Sequence, residues 1–383
     1  MKTLIEIHTL QNFAPSNLNR DDTGAPKDAF FGGTRRARIS SQCLKRAVRQ
    51  HFKSLVEGGR LNGDDMGDRT KLLLNKVTSQ MEALGRQPEE AKEKVKLALA
   101  AVSLTVKEDG KTQYLLFLGQ REIQSIARII HEKWNTITAS EDGAEGKKAG
   151  KAKKDAAKQA DPELKKSLDA VFDGGRAMDI ALFGRMLADM PERNQNAACQ
   201  VAHGLSTHAV EREFDFYTVV DDLKPEDTAG ADMIGTVEFN SACFYRYAVV
   251  DWEKLVENLQ QDGMLAAKAL RGFLEGFVVS EPTGKQNSFA AHNPPEFVAV
   301  SVRREGAPRN LANAFEVPVR GRDGLTVISA QRLVDKANQL QAAYGGVGST
   351  FVLNLAQAKV DGFGETVDSL SVLLDKALAA VQG

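Results

Sequence analysis

FFGGTRRARISSQCLKRAVRQ, residues 30–50, decides how the fold is interpreted, because a Gly-Gly pair leads there into basic residues and then into a helix start. The chain has nine Lys and Arg residues from Arg20 to Lys53 against three Asp residues, although its formal net charge is −1. Ser40 or Ser41 is a suitable N-cap for a helix that reaches about Phe52. At helical spacing, one face would carry the apolar residues Leu44, Ala47, Val48 and Phe52. Another face would carry Lys45, Arg49 and Lys53. The segment therefore predicts an amphipathic helix with a basic outer face.

The overall composition is that of a soluble globular protein. With 383 residues, 42% of them apolar and 26% charged, the chain can bury a core in one elaborated domain or two ordinary ones. The start, MKTLIEIHTLQNF, places Glu6 where a signal peptide would be apolar, and no run is long enough to span a bilayer. Cys43, Cys199 and Cys243 are widely spaced and form no CxxC motif, which predicts free thiols in a reducing, cytoplasmic compartment. A net charge near zero neither favours nor excludes nucleic acid, because a local patch binds phosphate.

The order of strand and helix patterns predicts an α+β protein. Residues 2–10 have the pattern of a strand, and residues 65–137 are mostly helical. Residues 203–251 hold two β-prone runs around an acidic tip, which is typical of a β-hairpin arm. Residues 140–166 are rich in Lys, Ala and Gly and predict a flexible surface insertion, with a basic tether for nucleic acid as the alternative. The later elements expected are helices at about 252–261 and 263–277, a strand at EFVAVSVR and a final helix–strand–helix passage.

The residues show no clear signature of catalysis. GGVGSTF at 345–351 lacks the third glycine of a dinucleotide fingerprint, and the chain has no Walker A, GxSxG or HExxH motif. His203 and His208 are five residues apart, the wrong spacing for one face of a helix, which disfavours a metal site. The pairs Asp21–Asp22 and Asp221–Asp222 could hold Mg²⁺ only with further ligands. Loop acids of this kind are more often turn formers or salt-bridge partners.

The basic segment offers, in order, the groups that hold a phosphate backbone. These are the flexible Gly32 and Gly33, the guanidinium groups of Arg35, Arg36 and Arg38, the neutral donors Ser40 and Gln42, and Lys45 and Arg49 one helical turn apart. An ordinary solvated helix face is the competing interpretation, since Lys and Arg at this spacing are common there. The Gly-Gly pair, the basic loop before it and the capped helix start favour nucleic acid.

Aromatic and apolar side chains form a second candidate element, because single-stranded nucleic acid is also held by stacking. Phe214, Phe216 and Tyr217 lie in the predicted arm, and Phe183 and Met186 lie in a Gly-containing turn. A place in the core is the alternative for aromatic residues at strand spacing.

Five stretches identify a family. They are SNLNRDDTGAPKDAFFGGTRRARISSQCLKRAVR, DIALFGRM, FDFYTVVDDL, GTVEFNSACFYRYA and KQNSFAAHNP…NLANAFE. Together they closely resemble the CasC family, the repeated crRNA-binding backbone subunit of the type I-E CRISPR surveillance complex, Cascade. The similarity runs in order from the first strand to at least residue 316. Residues of about 60–170 match only in character, and the Lys-rich segment at 143–160 is not a recognised family feature.

The resemblance implies a right-hand-shaped subunit with an RRM-like (ferredoxin-like) palm, inserted helical fingers and a β-hairpin thumb. The implied divisions are 1–60 for the first part of the palm, 61–175 for the fingers with the flexible segment 143–160, 176–202 for palm, 203–240 for the thumb and 241–383 for the remainder of the palm. Copies would stack head to tail along the guide RNA. Each thumb would displace a base at regular intervals and leave the others to pair with target DNA.

The RNA-binding residues expected from the basic segment and from the resemblance are Arg20, Lys27, Arg35, Arg38, Ser40, Gln42, Lys45, Arg46 and Arg49. The resemblance also makes Met186 an apolar wedge beside the displaced base, and Phe216, Tyr217 and Thr218 the thumb residues that pack against the kinked nucleotide. Arg49 stands where the family can have Lys, which changes the donor geometry. Phe216 and Tyr217 stand where Trp and Phe are expected.

The resemblance implies a cytoplasmic, non-catalytic scaffold in antiviral defence, without a cofactor or a membrane partner. Its partners would be crRNA, identical subunits, the other Cascade subunits and, through the heteroduplex, target DNA. A metal-dependent RNA-cleaving backbone subunit like those of type III complexes is the alternative, with Asp21 and Asp22 as candidates. A transposon-associated Cascade is a further one. Copy number, guide sequence, target motif and the role of the Lys-rich insert do not follow from the sequence.

Overall fold

The computed structural model describes residues 2–138, 161–219, 233–321 and 324–383. The strands are β1 (Leu4–Ser16), β2 (Asp28–Phe31), β3 (Thr34–Ile39), β4 (Gly67–Thr70), β5 (Leu116–Gly119), β6 (Cys199–Val201), β7 (Gly204–Ser206), β8 (Glu213–Val219), β9 (Met233–Asp251), β10 (Phe297–Arg303), β11 (Gly348–Asn354) and β12 (Glu365–Thr366). The α-helices are α1 (Ser41–Glu57), α2 (Leu73–Ala83), α3 (Pro88–Ala101), α4 (Gln120–Glu132), α5 (Pro162–Val171), α6 (Met178–Phe183), α7 (Trp252–Asn258), α8 (Gly263–Val279), α9 (Gln286–Phe289), α10 (Leu325–Tyr344) and α11 (Leu370–Gln382). The Lys-rich insert predicted at 143–160 and the tip of the predicted arm lie outside the described residues.

The chain forms two compact units. The first comprises Met1–Leu55, Cys199–Glu253 and Leu270–Gly383, and the second comprises Val56–Ala198 and Lys254–Ala269. Within the described ranges, no helix combines the length and the apolar character needed to cross a membrane.

A mostly antiparallel sheet of ten strands organises the first unit. Its order is β12-β11-β10-β1-β9-β7-β3-β2, and β6 and β8 also pair with β9. In the central strand β1, Ile7 pairs with Val300 of β10 on one side and with Ala248 of β9 on the other. The strand predicted at 2–10 continues to Ser16 because β9 goes on pairing with it, with a register shift after Phe13. The predicted α+β class is confirmed.

The predicted amphipathic helix is confirmed as α1. Its inner face carries the expected apolar residues Leu44, Ala47, Val48 and Phe52, all buried, together with Leu55. The ring of Phe52 lies against α8, where a β-carbon at Gly272 would be only 2.6 Å from it. Glycine at this position therefore lets the two helices approach closely.

The second unit is mainly helical, as the pattern of residues 65–137 predicts. Helices α2, α3, α4 and α5 contribute Leu74, Val95, Ile126 and Leu168 to one buried apolar core. The apolar run YLLFLG supplies β5, which pairs antiparallel with β4. Phe183 is buried at the end of α6, as the core interpretation of that aromatic residue requires.

Candidate nucleic-acid interface

The Gly-Gly pair forms the turn of a β-hairpin. Strands β2 and β3 pair from Asp28↔Ala37 to Phe31↔Thr34, and both glycines between them have positive φ, 57° and 73°. Two-residue hairpin turns of this kind favour Gly at both central positions. A β-carbon at Gly32 would lie 1.8 Å from the carbonyl oxygen of Glu316. A β-carbon at Gly33 would have none of the surrounding atoms within 4 Å. Glycine at position 32 therefore lets the hairpin turn lie close to the backbone of Glu316.

The three arginines of β3 have three different environments. Arg36 is fully buried, and its guanidinium donates to the hydroxyl of Thr34 and to the backbone carbonyls of Ser206, Phe315 and Glu316. The expectation that Arg36 offers a fork to phosphate is therefore wrong. Successive strand residues face opposite sides, so Arg35 lies on the other side of β3 from Arg36, and it is exposed. Arg38, two residues beyond Arg36, is half-buried.

Arg35 and Arg38 are both oriented by Asp28. Arg35 pairs with the Asp28 carboxylate, and Nε of Arg38 donates to the Asp28 carbonyl at 3.0 Å. Nη1 of Arg38 also donates to Nδ1 of His203 at 3.3 Å. Burial lowers the pKa of His203, and the charges of Arg38 and Lys27 lower it further. A neutral His203 therefore fits beside these two cations.

Ser40 caps α1, as predicted. Its hydroxyl accepts the Cys43 N–H at 3.3 Å, and its own N–H donates to the side-chain oxygen of Asn19 at 2.8 Å. Ser40 itself is buried. Asn19 also accepts the Lys27 N–H through its carbonyl, at 2.8 Å, so one residue of the first loop positions two predicted RNA contacts. Sequence reasoning missed Asn19, because its partners lie 8 and 21 positions further along the chain.

The outer side of α1 carries Gln42, Lys45, Arg46 and Arg49, which we call the basic face. Their spacing of three and four residues aligns them along one side of the helix, away from the buried face. Gln42 and Arg46 are exposed, and Lys45 and Arg49 are half-buried. Three cations and one amide are thus partly or fully accessible along two turns.

The loop before the hairpin brings further cations to the start of α1. Burial raises the pKa of the Cys43 thiol, and the charges of Arg46 and Lys27 oppose this rise, so both cations lie near Cys43. Arg20 is exposed, and with Arg46 it lines an open pocket of about 670 Å³ beside α1. The structure therefore brings Arg20 and Lys27 close to the first turns of the basic face.

Asp21 is engaged in a turn. Its carboxylate accepts the hydroxyl and the N–H of Thr23, at 2.7 and 2.9 Å, and the N–H of Ala25 at 3.0 Å. The hydrogen bond from the Thr23 hydroxyl is the main reason why the pKa of Asp21 is lowered. This is the turn-forming role that loop acids usually have. Asp221 and Asp222 lie outside the described residues.

The two histidines singled out in the sequence have separate partners. His203 contacts Arg38, as above, whereas Nε2 of His208 accepts the Cys243 N–H at 3.2 Å and its Nδ1 is 2.8 Å from the Ala209 carbonyl. In the described part of the chain, His, Cys, Asp and Glu side chains form no group of three or more that could hold a metal ion.

Strand β8 pairs antiparallel with the first part of β9, and its aromatic side chains are accessible. Phe214 and Phe216 are each 65% exposed and Tyr217 is 38% exposed; Thr218 is exposed as well. Tyr217 pairs with Gly235, and its ring fills the position that a β-carbon there would take. The exposure of Phe216 contradicts the core alternative for this residue.

A charge network holds the base of the β8–β9 pair. Arg212, just before β8, donates to Asp28 at 2.8 Å and to Glu238 of β9 at 3.0 Å. Partial burial would raise the pKa of Asp28, but hydrogen bonds from Arg212 and Arg35 outweigh it and the pKa is lowered. Arg212 was not recognised in the sequence, because its partner Asp28 is 184 residues away.

Met186 lies in the second unit, on a turn whose preceding residues, Gly184 and Arg185, are closely packed. Gly184 ends α6 with φ at 72°, and a β-carbon there would lie 2.8 Å from the Gln195 carbonyl. The next residue, Arg185, is buried and pairs with Glu122 at 2.8 Å. Met186 then points outward and is 77% exposed. An exposed apolar side chain on a rigid turn has the form of the predicted wedge.

Comparison with known proteins defines the class to which this architecture belongs. A chain of a "CRISPR RNA-guided surveillance complex, pre-nicking" is 30% identical, with a TM-score of 0.83 over 98% of this chain and 99% of that one. A chain of a second "CRISPR RNA-guided surveillance complex" is 25% identical, with a TM-score of 0.71 over the same shares. The fold is therefore that of CRISPR surveillance-complex subunits, as the resemblance implies.

The family itself is shown by sequence. The profile of the CT1975-like proteins matches residues 5–378, nearly the whole chain, so the chain belongs to the CT1975-like protein family. None of the curated proteins compared with the chain matches it.

Proposed function

We propose that this protein is the backbone subunit of a type I-E CRISPR Cascade complex, a CasC-like protein that binds crRNA. Copies polymerise head to tail along the guide, hold its phosphate backbone and present most of its bases to target DNA. The observation that carries this proposal is the basic face of α1, with Lys27 and Arg20 beside its first turns. Cations and neutral donors in a row fit phosphate groups, which carry no sequence information, while base pairing reads the target.

The strand order supports an RRM-like palm. Along the chain, α1 follows β1, and α8 lies between β9 and β10. The central strands have the order β10-β1-β9-β7. Numbered by their place in a βαββαβ unit, this is the order 4-1-3-2 of the ferredoxin-like motif. Such a sheet, with β8 and β9 extended from it, suits a palm that carries a thumb.

The accessible aromatic side chains support a base-displacing role for the β8–β9 pair. Phe216 and Tyr217 offer flat apolar surfaces that stack on bases without sequence preference. The ion pairs of Arg212 with Asp28 and Glu238 hold the end of the β8–β9 pair from which the strands project, and so they restrict the positions of these rings. Met186, on its rigid turn, supplies the wedge of the displaced nucleotide.

The proposed protein is a non-catalytic, cytoplasmic scaffold that needs no cofactor. Its partners are crRNA, identical copies, the other Cascade subunits and target DNA. The metal-dependent nuclease of the type III kind gains no support from Asp21, because its Oδ1 accepts three donors of a local turn and no group of three His, Cys, Asp or Glu side chains in the described residues could hold a metal ion.

Removal of two charges from the basic face tests the proposal. Lys45→Ala with Arg49→Ala should weaken crRNA binding at least about tenfold, to a similar extent for unrelated RNA sequences, and should lower the salt slope of log Kd by about 1.4. Filter binding or anisotropy across a salt series measures both. Lys92→Ala with Lys96→Ala, an exposed pair at the same spacing on α3, removes the same charge and is the matched control.

Three outcomes would contradict the proposal. Unchanged RNA affinity of the double variant at moderate salt would show that the basic face is not the binding surface. Periodic cleavage of complementary RNA by the assembled complex with Mg²⁺ would favour the nuclease. Failure to form regular filaments on RNA in electron micrographs would contradict head-to-tail polymerisation.

A further inference from the structure

A second polar pocket lies in the first unit, on the side of the sheet that α10 covers. It has a volume of about 270 Å³ and is lined by side chains of β1, β10 and α10 together with Arg309. The ionisable residues of its lining are Glu6, His8, Arg303 and Arg309. Burial lowers the pKa of His8 to about 4, so this ring is neutral at neutral pH. The lining therefore brings two guanidinium groups against one carboxylate.

Three donors of the protein already bind the carboxylate of Glu6. Its Oε1 accepts the hydroxyl of Tyr247 at 2.8 Å and the backbone N–H of Arg309 at 2.5 Å, and its Oε2 accepts Nε of Arg303 at 3.0 Å. The carboxylate is fully buried. Glu6 thus cancels one positive charge of the pocket and leaves the other without a counter-ion among the lining residues.

The two guanidinium groups face a common space beside Gly346. A β-carbon at Gly346 would lie 3.2 Å from Nη1 of Arg303 and 3.6 Å from Nη2 of Arg309, with the carbonyl oxygen of Glu305 at 3.1 Å. Arg309 is held there by Gln341, which accepts from its Nη1 at 2.8 Å, and by the Gly345 carbonyl. Within the described residues, Arg303 donates only through Nε, so its two Nη groups retain their hydrogen-bonding capacity.

We propose that this pocket binds a small oxyanion, a carboxylate or phosphate group, between the guanidinium groups of Arg303 and Arg309. Paired guanidinium groups match the geometry of both anions, and a single negative charge balances the pocket. The volume is slightly below the usual range of ligand sites, about 300–1,000 Å³, which suits a small metabolite or one acidic group. The site is separate from the basic face of α1 and does not depend on RNA binding.

Titration of the full-length protein with inorganic phosphate and with acetate, at ionic strength held constant with chloride, tests the site. Gln341→Glu is nearly isosteric and places a carboxylate against Arg309, so it should weaken binding of the preferred anion about tenfold. Gln339→Glu, an exposed position on the same helix, adds the same charge without contacting Arg309 and should bind like the wild type. Thermal unfolding of each variant verifies that it is folded.

The possible results separate clearly. Tighter binding of phosphate assigns the site to a phosphorylated ligand, and tighter binding of acetate assigns it to a carboxylate; both support the proposal. Absence of binding by the wild type, or equal affinity of Gln341→Glu and Gln339→Glu, overturns it. Lys45→Ala with Arg49→Ala should still bind the anion, and loss of binding in this variant would place the anion on α1 instead.

Discussion

At the scale of single residues, Arg185 and Met186 are adjacent in sequence and opposite in environment. Arg185 is buried against Glu122, whose carboxylate also accepts the N–H groups of Gly119 and Gly174 at 2.7 and 2.9 Å. The side chain of Met186 is 77% exposed. The buried pair therefore fixes the backbone from which the exposed side chain projects.

Met186→Ala should leave the stability nearly unchanged and alter the bound RNA. An exposed side chain contributes little to folding, whereas loss of an apolar wedge should let the displaced base return to the stack. Chemical probing of the assembled guide should show regularly spaced reactive nucleotides with the wild type and weaker ones with the variant. Met264→Ala, at a position 81% exposed, is the control. An unchanged reactivity pattern for Met186→Ala would refute the wedge.

Arg185→Met should lower the free energy of unfolding by about 3–5 kcal/mol, because it leaves the Glu122 carboxylate buried without its cation. Addition of Glu122→Gln to the same chain should restore part of this loss. Arg193→Met is the comparison, because its pair with Asp169 is partly exposed and should contribute less than about 1 kcal/mol. Urea denaturation measures all of these variants, and similar losses for Arg185→Met and Arg193→Met would contradict the argument.

At the scale of elements, the hairpin β2–β3 and helix α1 carry the predicted RNA track as one continuous piece of chain. The hairpin turn needs two residues with positive φ, and α1 begins directly after β3 with the Ser40 cap. The accessible cations of the strand and of the helix are therefore placed by local geometry. The hairpin packs against the segment around Glu316, which is distant in sequence and which local geometry does not specify.

Substitution of the two turn glycines separates these effects. Gly33→Ala should lower the free energy of unfolding by about 1–2 kcal/mol, the usual penalty of left-handed backbone for a residue with a β-carbon. Gly32→Ala carries the same penalty and also places a methyl group on the Glu316 carbonyl, so a further loss of about 1–3 kcal/mol is expected. Thermal or urea unfolding compares the pair. Equal losses would show that the approach of Glu316 is not a constraint.

At the scale of the whole molecule, the sheet of the first unit buries a polar network on the side that α10 covers. Nδ1 of His8 is 2.9 Å from the hydroxyl of Tyr245, and Glu6 binds Tyr247 and Arg303. These residues come from three strands that only the sheet brings together. Burial of ionisable groups makes the stability of the fold depend on pH.

His8 predicts a loss of stability as the pH falls from about 6.5 to 4. Above this range both the folded and the unfolded state hold a neutral ring, whereas within it the unfolded state binds a proton and the folded state, with a pKa of about 4, does not. The loss attributable to His8 should reach about 3 kcal/mol at the acid end. Urea denaturation at several pH values should give a shallower slope for His8→Gln than for the wild type. Equal slopes for His8→Gln and the wild type would refute the role of His8.

The sequence by itself determined the local parts of this protein: the capped helix α1, its buried apolar stripe, its basic face and the α+β order of elements. Each depends on spacing within one element, which backbone geometry fixes wherever that element packs. Only the tertiary structure decided that Arg36 is buried while Arg35 is exposed, that Gly32 meets Glu316, and that Arg212 pairs with Asp28. These contacts join segments that are distant in the chain, and spacing within one element does not specify what will cover its faces. The same reason explains why Glu6 and Arg303, almost 300 residues apart, form one charged site that the sequence did not indicate.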